Sequence, residues 1–386
     1  MKRFFLLTSA LMVCMTLFAQ EALNNAQTIV SPEIHNDNRV TFRLVTPDHV
    51  TSVRVGCDCF STGGADLKKN ASGVWEYTTP DALPSELYSY FYVVDGVRML
   101  DPFNVYTTRD ISTIMNVFII GGNPGNLYKV NAVPHGTVSR VWYDSPLLNM
   151  KRRFTVYTPA GYDTNSKQKY PVLYLLHGTG GDEETWMALG RVTQILDNLI
   201  AARKAKPMIV VMPNGNVAQE AAPGESSLGF IPPTPYLPKT MDGTFESSFP
   251  DIVNYVDTHY RTYNKKSYRA ICGLSMGGYH AKFISAQYPD VFDYVGLFSA
   301  AITPDKDIHN DIYNNSAYKL KIQFDKKPKL YWIGIGNSDY LYDSNRDYRE
   351  FLNKNNYAYT YFETNGGHAW LNWRIYLTEF VQKIFK

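Results

Sequence analysis

The stretch that decides the fold is Arg269-Ala270-Ile271-Cys272-Gly273-Leu274-Ser275-Met276-Gly277-Gly278. Its composition and flanks predict a strand over residues 268–272 and a helix over 277–287. Between them lies a Gly-x-Ser-x-Gly pattern, typical of a nucleophile elbow, where the chain turns sharply and leaves the serine hydroxyl exposed. The short pattern is common by chance, so its assignment as a nucleophile elbow depends on the predicted strand before it and the predicted helix after it. Ser275 is therefore the predicted nucleophile.

A serine hydroxyl is a poor nucleophile unless a base takes its proton, and His368 is the predicted base. It lies in Gly366-Gly367-His368-Ala369-Trp370, after the last predicted strand and before the last predicted helix. That position is the carboxyl edge of the sheet, where open α/β sheets build their sites. Of the eight histidines, His259 and His280 are predicted to be surface or packing residues.

The acid of such a triad must fall between the serine and the histidine in chain order. Asp339 follows the strand predicted over 330–335 and lies at the same edge of the sheet. Asp343 and Asp347 are rivals, but they resemble residues that cap the first amides of a helix. Asp339 would hold the histidine tautomer and stabilise the imidazolium without taking the proton.

The tetrahedral intermediate of acyl transfer needs preorganised N–H donors for its oxyanion. The amide of Met276, directly after the nucleophile, is one predicted donor. The second is the amide of Thr179, in the loop His177-Gly178-Thr179-Gly180-Gly181 after an early strand. A phosphate-binding loop is the alternative, but the Lys-Ser/Thr of a P-loop and the Rossmann glycine spacing are missing. We expect no cofactor and no metal.

Outward from the elbow, buried apolar runs alternate with helical patterns. Strands are predicted at 170–176, 208–212, 294–298, 330–335 and 357–363, and helices at 191–204, 252–260, 347–355 and 371–385. This alternation predicts a mostly parallel sheet covered on both faces, so the fold class is α/β and residues 131–386 form an α/β-hydrolase domain.

One long segment, residues 216–248, has no period and is rich in proline and glycine. Long irregular loops inside a compact domain are usually functional, and this one is too apolar for a disordered linker. It is predicted to cover the active site. The candidate substrate-binding residues are Phe230, Ile231, Pro233 and Tyr236 from this loop, together with Trp370.

Residues 20–122 are predicted to form a separate all-β domain. A chain of 386 residues is longer than a single hydrophobic core usually takes, so two domains are expected. Alternating runs at residues 40–45, 52–55 and 87–94, the last ending at Asp95-Gly96, predict short strands and a hairpin. We expect a small immunoglobulin-like β-sandwich. A cluster of glycine, asparagine and proline around residues 121–126 predicts a linker at 123–130.

The N-terminus reads as a secretory signal, residues 1–19, with Lys2 and Arg3 before an apolar stretch and a cut near Ala19. The protein is then secreted or periplasmic. The apolar stretch is short for a membrane anchor, and Val13 before Cys14 is larger than lipoprotein processing prefers.

The remaining cysteines, Cys57, Cys59 and Cys272, do not form a disulfide framework. Cys57 and Cys59 lie two apart in an apparent strand, so we expect no bridge between them. Cys272 is predicted to be a small buried residue. A formal net charge of +2 without long charge runs excludes a nucleic-acid partner, and no later segment is apolar enough for a membrane span. The sequence leaves the oligomeric state open.

Several segments together resemble the family-one carbohydrate esterases, particularly bacterial feruloyl esterases with an N-terminal β-sandwich. Beside the elbow these segments are Val156-Tyr157-Thr158-Pro159, Leu175-Leu176-His177-Gly178-Thr179-Gly180-Gly181, Val211-Met212-Pro213-Asn214-Gly215 and Gly367-His368-Ala369-Trp370. The resemblance implies the same triad of Ser275, Asp339 and His368. The first domain is similar to glycogen-binding carbohydrate-binding modules through Gly73-Val74-Trp75-Glu76 and Asp101-Pro102, although it could equally serve only to pack and shape the cleft.

The resemblance implies a serine esterase that cleaves hydroxycinnamoyl esters such as ferulate on plant xylan. Its partners would be feruloylated arabinoxylan or oligosaccharide esters. An acetyl-xylan esterase or a siderophore esterase is the alternative with the same chemistry. A glycan-binding protein with an inactive hydrolase domain is a further alternative, which the presence of all three triad residues disfavours.

Overall fold

The computed structural model describes residues 29–235 and 237–386, so the predicted signal peptide at 1–19 lies outside the described residues. The chain separates into two compact units by its internal contacts. Among the described residues, the first contains residues 29–84, Tyr88–Thr107 and Asn116–Phe118. The second contains Ser85–Leu87, Thr108–Met115 and Ile119–Lys386.

The N-terminal strands form two antiparallel sheets, which confirms the predicted all-β character. One sheet has the order β1-β2-β6-β5, and the other β4-β3-β7-β10-β9, with β8 paired to β7. The strands are β1 Glu33–Ile34, β2 Val40–Leu44, β3 Val53–Cys57, β4 Gly64–Asp66, β5 Lys68–Lys69, β6 Trp75–Thr78, β7 Leu87–Val94, β8 Val97–Met99, β9 Thr107–Asp110 and β10 Thr113–Ile119.

The core of the first unit joins the two sheets through aromatic rings. Phe42 on β2 is fully buried, and its ring meets Tyr90 on β7 and Phe118 on β10 edge-on, at 5.2 and 5.8 Å between centroids. Edge-to-face pairs of this kind add to the free energy gained by burying apolar area. Along most of β7 and β10, buried side chains alternate with less buried ones, as in a sandwich, whereas β2 is buried at four of its five residues.

The expectation of unbridged cysteines at positions 57 and 59 is wrong. Cys57 and Cys59 form a disulfide, with 5.1 Å between their Cα atoms. The two residues are not both in the strand: β3 ends at Cys57, and Asp58 and Cys59 lie in the following turn. The turn brings the second side chain back toward the first, a geometry that strand periodicity could not reveal. Cys272 is buried, as expected.

The second unit is built on one eight-stranded sheet with the order β11-β12-β14-β13-β15-β16-β17-β18. Strand β12 pairs antiparallel with β11 and β14, and the strands from β14 to β18 are parallel. The strands are β11 Thr137–Ser145, β12 Met150–Thr158, β13 Val172–Leu176, β14 Ile209–Pro213, β15 Arg269–Leu274, β16 Tyr294–Phe298, β17 Leu330–Gly336 and β18 Thr360–Thr364.

Helices surround this sheet. They are α1 Gly125–Tyr128, α2 Thr185–Ala188, α3 Val192–Ala201, α4 Thr244–His259, α5 Met276–Gln287, α6 Ser316–Asp325, α7 Tyr342–Lys354 and α8 Trp370–Val381, with a 3₁₀ turn at Lys266–Tyr268. Every residue of β13, β14, β15 and β16 is buried, as a parallel sheet covered on both faces requires. The α/β fold class is confirmed. Among the described residues, no helix has the length and apolar character to cross a bilayer.

Two helices begin earlier than the sequence predicts. Helix α4 begins at Thr244 rather than 252, because Pro250 lies inside it instead of marking its start. Helix α7 begins at Tyr342 rather than 347. The irregular segment predicted over 216–248 is shorter for the same reason, since its last residues belong to α4.

The disulfide closes a very short loop, so its removal should destabilise the first unit only modestly. The chain-entropy model gives about 1.5 kcal/mol for a loop of this length. We expect the double variant Cys57→Ser/Cys59→Ser to lose about that much free energy of unfolding in urea titrations. In the native protein, mass spectrometry should find the peptide with both cysteines lighter by two hydrogen atoms than after reduction. A peptide of unchanged mass after reduction would contradict the bridge.

Candidate active site

The turn between β15 and α5 holds Ser275 in an unfavourable backbone conformation. Its φ is 52° and its ψ is −115°, and Met276 is already the first residue of the helix. Such a conformation persists for a residue with a side chain only where its surroundings impose it. Here the Ser275 amide donates to the Phe298 carbonyl at 2.9 Å, and the Ser275 carbonyl accepts from the amide of Ala301 at 3.2 Å. The serine is thus fixed at the carboxyl end of the central strands.

The glycines of the elbow are required by close approach of backbone to backbone. A Cβ on Gly273 would lie 2.5 Å from the carbonyl carbon of Gly277. A Cβ on Gly277 would lie 2.4 Å from the Leu176 oxygen at the end of β13. Both distances are far below van der Waals contact, so neither position accepts a side chain without displacing the backbone. The two glycines of the Gly-x-Ser-x-Gly pattern are thus explained by the lack of space for a Cβ atom at either position.

His368 and Asp339 are paired as the sequence predicts. The Nδ1 atom of His368 lies 3.0 Å from Oδ2 and 3.1 Å from Oδ1 of Asp339. The carboxylate also accepts the amide of Leu341 at 2.9 Å, and it is 4% exposed. Burial opposes its ionisation most strongly, but the hydrogen bonds from His368 and Leu341 help to outweigh it, so the pKa of Asp339 is lowered. An ionised Asp339 holds the imidazole with Nε2 directed away from it.

The rival carboxylates lie elsewhere. Asp343 is exposed in the first turn of α7 and forms an ion pair with Arg346 at 2.6 Å. Asp347 is exposed on the same helix and pairs with the same arginine. Of the three carboxylates considered from the sequence, Asp339 is the one that the structure places beside His368.

His177 serves the loop beside the elbow as a neutral imidazole. Its Nε2 accepts the amide of Gly215 at 2.8 Å, so the proton resides on Nδ1, which lies 2.8 Å from the Gly178 carbonyl. Burial lowers the pKa of His177 to about 4. His280 is likewise buried, 2.8 Å from Glu246, and His259 stacks on Tyr255. These three histidines are occupied by packing and local hydrogen bonds.

Ser275 and His368 line one cavity of about 320 Å³. Thr179, whose amide is the predicted second oxyanion donor, lines it as well. Met276, whose amide is the predicted first donor, directly follows Ser275 as the first residue of α5, where the first amides lack intrahelical partners. The lining residues are Asp110, Ile111, Gly178, Thr179, Gly181, Thr185, Pro235, Leu274, Ser275, Tyr340, His368, Trp370 and Trp373. The arrangement can deliver a nucleophile, a base and amide donors to one carbonyl group.

The substrate-binding candidates are only partly brought to this cavity. Trp370 lines it, and the loop over 216–248 contributes Pro235. Phe230 is 89% exposed, and neither it nor Ile231 nor Pro233 is among the lining residues. Tyr236 lies outside the described residues.

Aromatic rings form one wall of the cavity. Trp370 meets Trp186 and Trp373 edge-on, at 5.3 and 5.1 Å between centroids. Trp373 in turn meets the His368 ring edge-on at 4.9 Å. Among the described residues that line the cavity, Asp110 is the only acidic one, and none is a lysine or an arginine. The cavity therefore suits a neutral, partly aromatic ligand.

A hairpin tip that sequence reasoning missed also borders the cavity. Ile111 has a φ of 52°, and its side chain fills the space that a Cβ on Gly180 would need. Arg109 donates to the Ile111 carbonyl at 2.8 Å and to Asp182 at 2.5 Å. These contacts fix the tip against the loop of Thr179. The residues stand about seventy positions apart in sequence, so no local pattern could reveal the contact.

Comparison with families of known proteins gives a match over most of the second unit. The family model named Esterase matches residues 145–384. A curated endo-1,4-beta-xylanase/feruloyl esterase of Xylanibacter ruminicola is 27% identical over 92% of this chain and 46% of its own length. This chain spans about half the length of the first curated relatives that it matches.

Solved structures show the same fold. A CE1 ferulic acid esterase of the anaerobic fungus Anaeromyces mucronatus, in complex with ferulic acid, is 26% identical, with a TM-score of 0.57. The match covers 68% of this chain and 96% of that one. The enterobactin esterase of Shigella flexneri is 15% identical, with a TM-score of 0.62 over 94% of this chain and 97% of its own, and at that identity it supports the fold alone.

The buried His177 should make stability depend on pH below neutrality. Its folded pKa of about 4 lies below its ordinary value of 6.5, so in this window the unfolded chain binds a proton that the folded protein does not. The contribution of His177 to stability is therefore fully present above pH 6.5 and is lost toward pH 4, by up to about 3 kcal/mol. Urea unfolding at several pH values measures this slope.

In His177→Gln the slope between pH 6.5 and 4 should become smaller, whatever the absolute stability of the variant. His49, an exposed histidine, provides the matched control. His49→Gln should keep the slope of the unmodified protein. An equal slope in all three proteins would contradict the assignment to His177.

Proposed function

Because the chain belongs to the Esterase family, we propose that it is a serine carboxylic-ester hydrolase that releases ferulate or related hydroxycinnamates from plant cell-wall xylan. The observation that carries the proposal is a serine on a strained elbow that shares a cavity with a histidine held by a buried carboxylate. This combination is the requirement for acyl transfer through a covalent intermediate.

In acylation, Ser275 attacks the ester carbonyl while Nε2 of His368 takes the hydroxyl proton. Asp339 keeps the Nδ1 proton in place and stabilises the imidazolium that forms. The Met276 and Thr179 amides donate to the oxyanion of the tetrahedral intermediate. The C–O bond to the sugar then breaks, and the imidazolium gives its proton to the departing alcohol. A water molecule repeats the sequence and frees the acid.

The aromatic wall supports an aromatic acyl group. Trp370 and Trp373 present rings on which a hydroxycinnamoyl group could pack, and the volume of about 320 Å³ lies in the range of small-molecule sites. No lysine or arginine among the described residues lines the cavity, which disfavours a strongly anionic catecholate ligand, as a siderophore esterase would bind. The names of the Xylanibacter and Anaeromyces relatives, both feruloyl esterases, agree with this substrate class.

The proposal extends to the rest of the chain. We infer that residues 1–19 are removed as a signal peptide and that the enzyme acts outside the cytoplasm. We also infer that residues 20–122 form a β-sandwich domain of the carbohydrate-binding-module type. A linker at 123–130 would join this domain to the esterase domain at 131–386.

Release of ferulate decides the substrate class. We expect the protein to release ferulate from methyl ferulate and from feruloylated arabinoxylan, measured by chromatography. Ser275→Ala should lose activity by at least about 10³-fold, since no other group takes over the nucleophile. Acetate release from acetyl-xylan alone would move the enzyme to the acetyl-ester alternative. Activity on neither substrate, with xylan binding unchanged in Ser275→Ala, would leave a binding protein.

Replacing Asp339 should lower turnover without unfolding the protein. Asp339→Asn removes the charge that stabilises the imidazolium and permits the wrong tautomer, so we expect kcat to fall about 10³- to 10⁴-fold. Asp343→Asn and Asp347→Asn are matched controls, because both carboxylates are exposed and pair with Arg346. These two variants should keep kcat within about twofold. A large loss in either one, with Asp339→Asn active, would reassign the acid.

A further inference from the structure

Tyr340 borders the catalytic histidine on the side opposite its carboxylate. Its hydroxyl lies 3.4 Å from Nε2 of His368, and the two rings are 4.6 Å apart between centroids. The side chain lines the cavity and is 74% exposed. Tyr340 directly follows Asp339 in the chain, and no sequence pattern marks it as a site residue.

The turn that holds Asp339 also fixes the position of Tyr340. The Leu341 amide donates to Oδ1 of Asp339 across Tyr340, at 2.9 Å, and the Tyr342 amide donates to the Asp339 carbonyl at 2.9 Å. The imidazole ring has both Tyr340 and Trp373 as aromatic neighbours, at 4.6 and 4.9 Å between centroids. The phenol is anchored by its backbone, while its exposed side chain can still adjust to a ligand.

Nε2 exchanges its proton with two different oxygens in the proposed reaction. One is Oγ of Ser275, and the other is the alcohol oxygen that departs in acylation and is replaced by water in deacylation. Both the departing and the incoming oxygen must come within hydrogen-bond distance of Nε2. A phenol oxygen 3.4 Å from Nε2 lies within reach of any oxygen that occupies this leaving-group position.

We propose that the Tyr340 hydroxyl hydrogen-bonds the oxygen at the leaving-group position, first the departing sugar alcohol and then the attacking water. This inference rests on the proposed function. As the ester C–O bond breaks, negative charge builds on the alcohol oxygen while Nε2 delivers its proton, and the phenol donates a hydrogen bond to that charge. In deacylation the same hydroxyl turns and accepts a hydrogen bond from the water. Tyr340 keeps its own proton throughout, so the atom balance of ester hydrolysis is unchanged.

The test compares two esters that share one acyl group but differ in leaving group. Methyl ferulate releases a strongly basic alkoxide that needs help, whereas 4-nitrophenyl ferulate releases a stabilised phenolate that needs none. We expect Tyr340→Phe to lower kcat/KM for methyl ferulate by about tenfold. For 4-nitrophenyl ferulate, kcat/KM should stay within about twofold. A residue with only a structural role would lower both values by the same factor.

Tyr342→Phe is the matched control, because it removes a phenol hydroxyl that bonds Glu363 at 2.8 Å and does not line the cavity. It should leave both substrates unaffected. Equal losses on both esters in Tyr340→Phe, or no loss on either, would overturn the inference. If the unmodified enzyme cleaves acetyl but not feruloyl esters, the substrate proposal fails by itself, and ethyl acetate with 4-nitrophenyl acetate then makes the same comparison.

Discussion

The close contact between Gly277 and the end of strand β13 is the constraint on which the rest of the site depends. A Cβ at position 277 would meet the Leu176 oxygen at 2.4 Å and the His177 oxygen at 2.6 Å. Because no side chain separates them, helix α5 begins directly against the loop that follows β13. This contact places the start of α5 against the loop of Thr179, which lines the same cavity as Ser275. The strained φ of 52° at Ser275 follows from the same crowding, since the chain must turn from strand to helix within one residue.

Two histidines of the second unit have different surroundings. His177 is buried and hydrogen-bonded on both nitrogens, and burial holds its pKa at about 4, so it supports the loop of Thr179 as a neutral group. His368 borders the cavity, and the buried, ionised Asp339 lies against its Nδ1. The His177 imidazole is thus kept uncharged and maintains the shape of a loop, whereas the His368 imidazole is oriented by a carboxylate and reaches the cavity. Burial and the hydrogen-bond partners give the two imidazoles these different surroundings.

The elements whose signals are local in sequence were predicted well. Strand β16 was placed at its observed residues, and β15 and α5 within one or two, because buried parallel strands and the elbow leave continuous patterns. Asp339 and His368 could be paired because chain order and the carboxyl edge of the sheet restrict the choice. The bridge between Cys57 and Cys59 was missed because it depends on where β3 ends. The start of α4 was missed because Pro250 is tolerated inside it. The exposed Phe230 shows that an apolar loop does not by itself identify the residues that reach a cavity.

No sequence pattern could reveal two neighbours of Ser275 and His368 in the cavity, the hairpin of Ile111 and the side chain of Tyr340. The Ile111 hairpin reaches the Thr179 loop through Arg109 and Asp182, whose ion pair joins distant parts of the chain. Tyr340 adjoins the acid in sequence, but its relation to Nε2 depends on the turn at Asp339 and the loop of His368. Buried contacts fix Ser275 and Asp339, whereas Ile111 and Tyr340 border the cavity and are less buried. Differences among enzymes with the same buried machinery can therefore arise at such positions, where a substitution alters the ligand environment without disturbing the core.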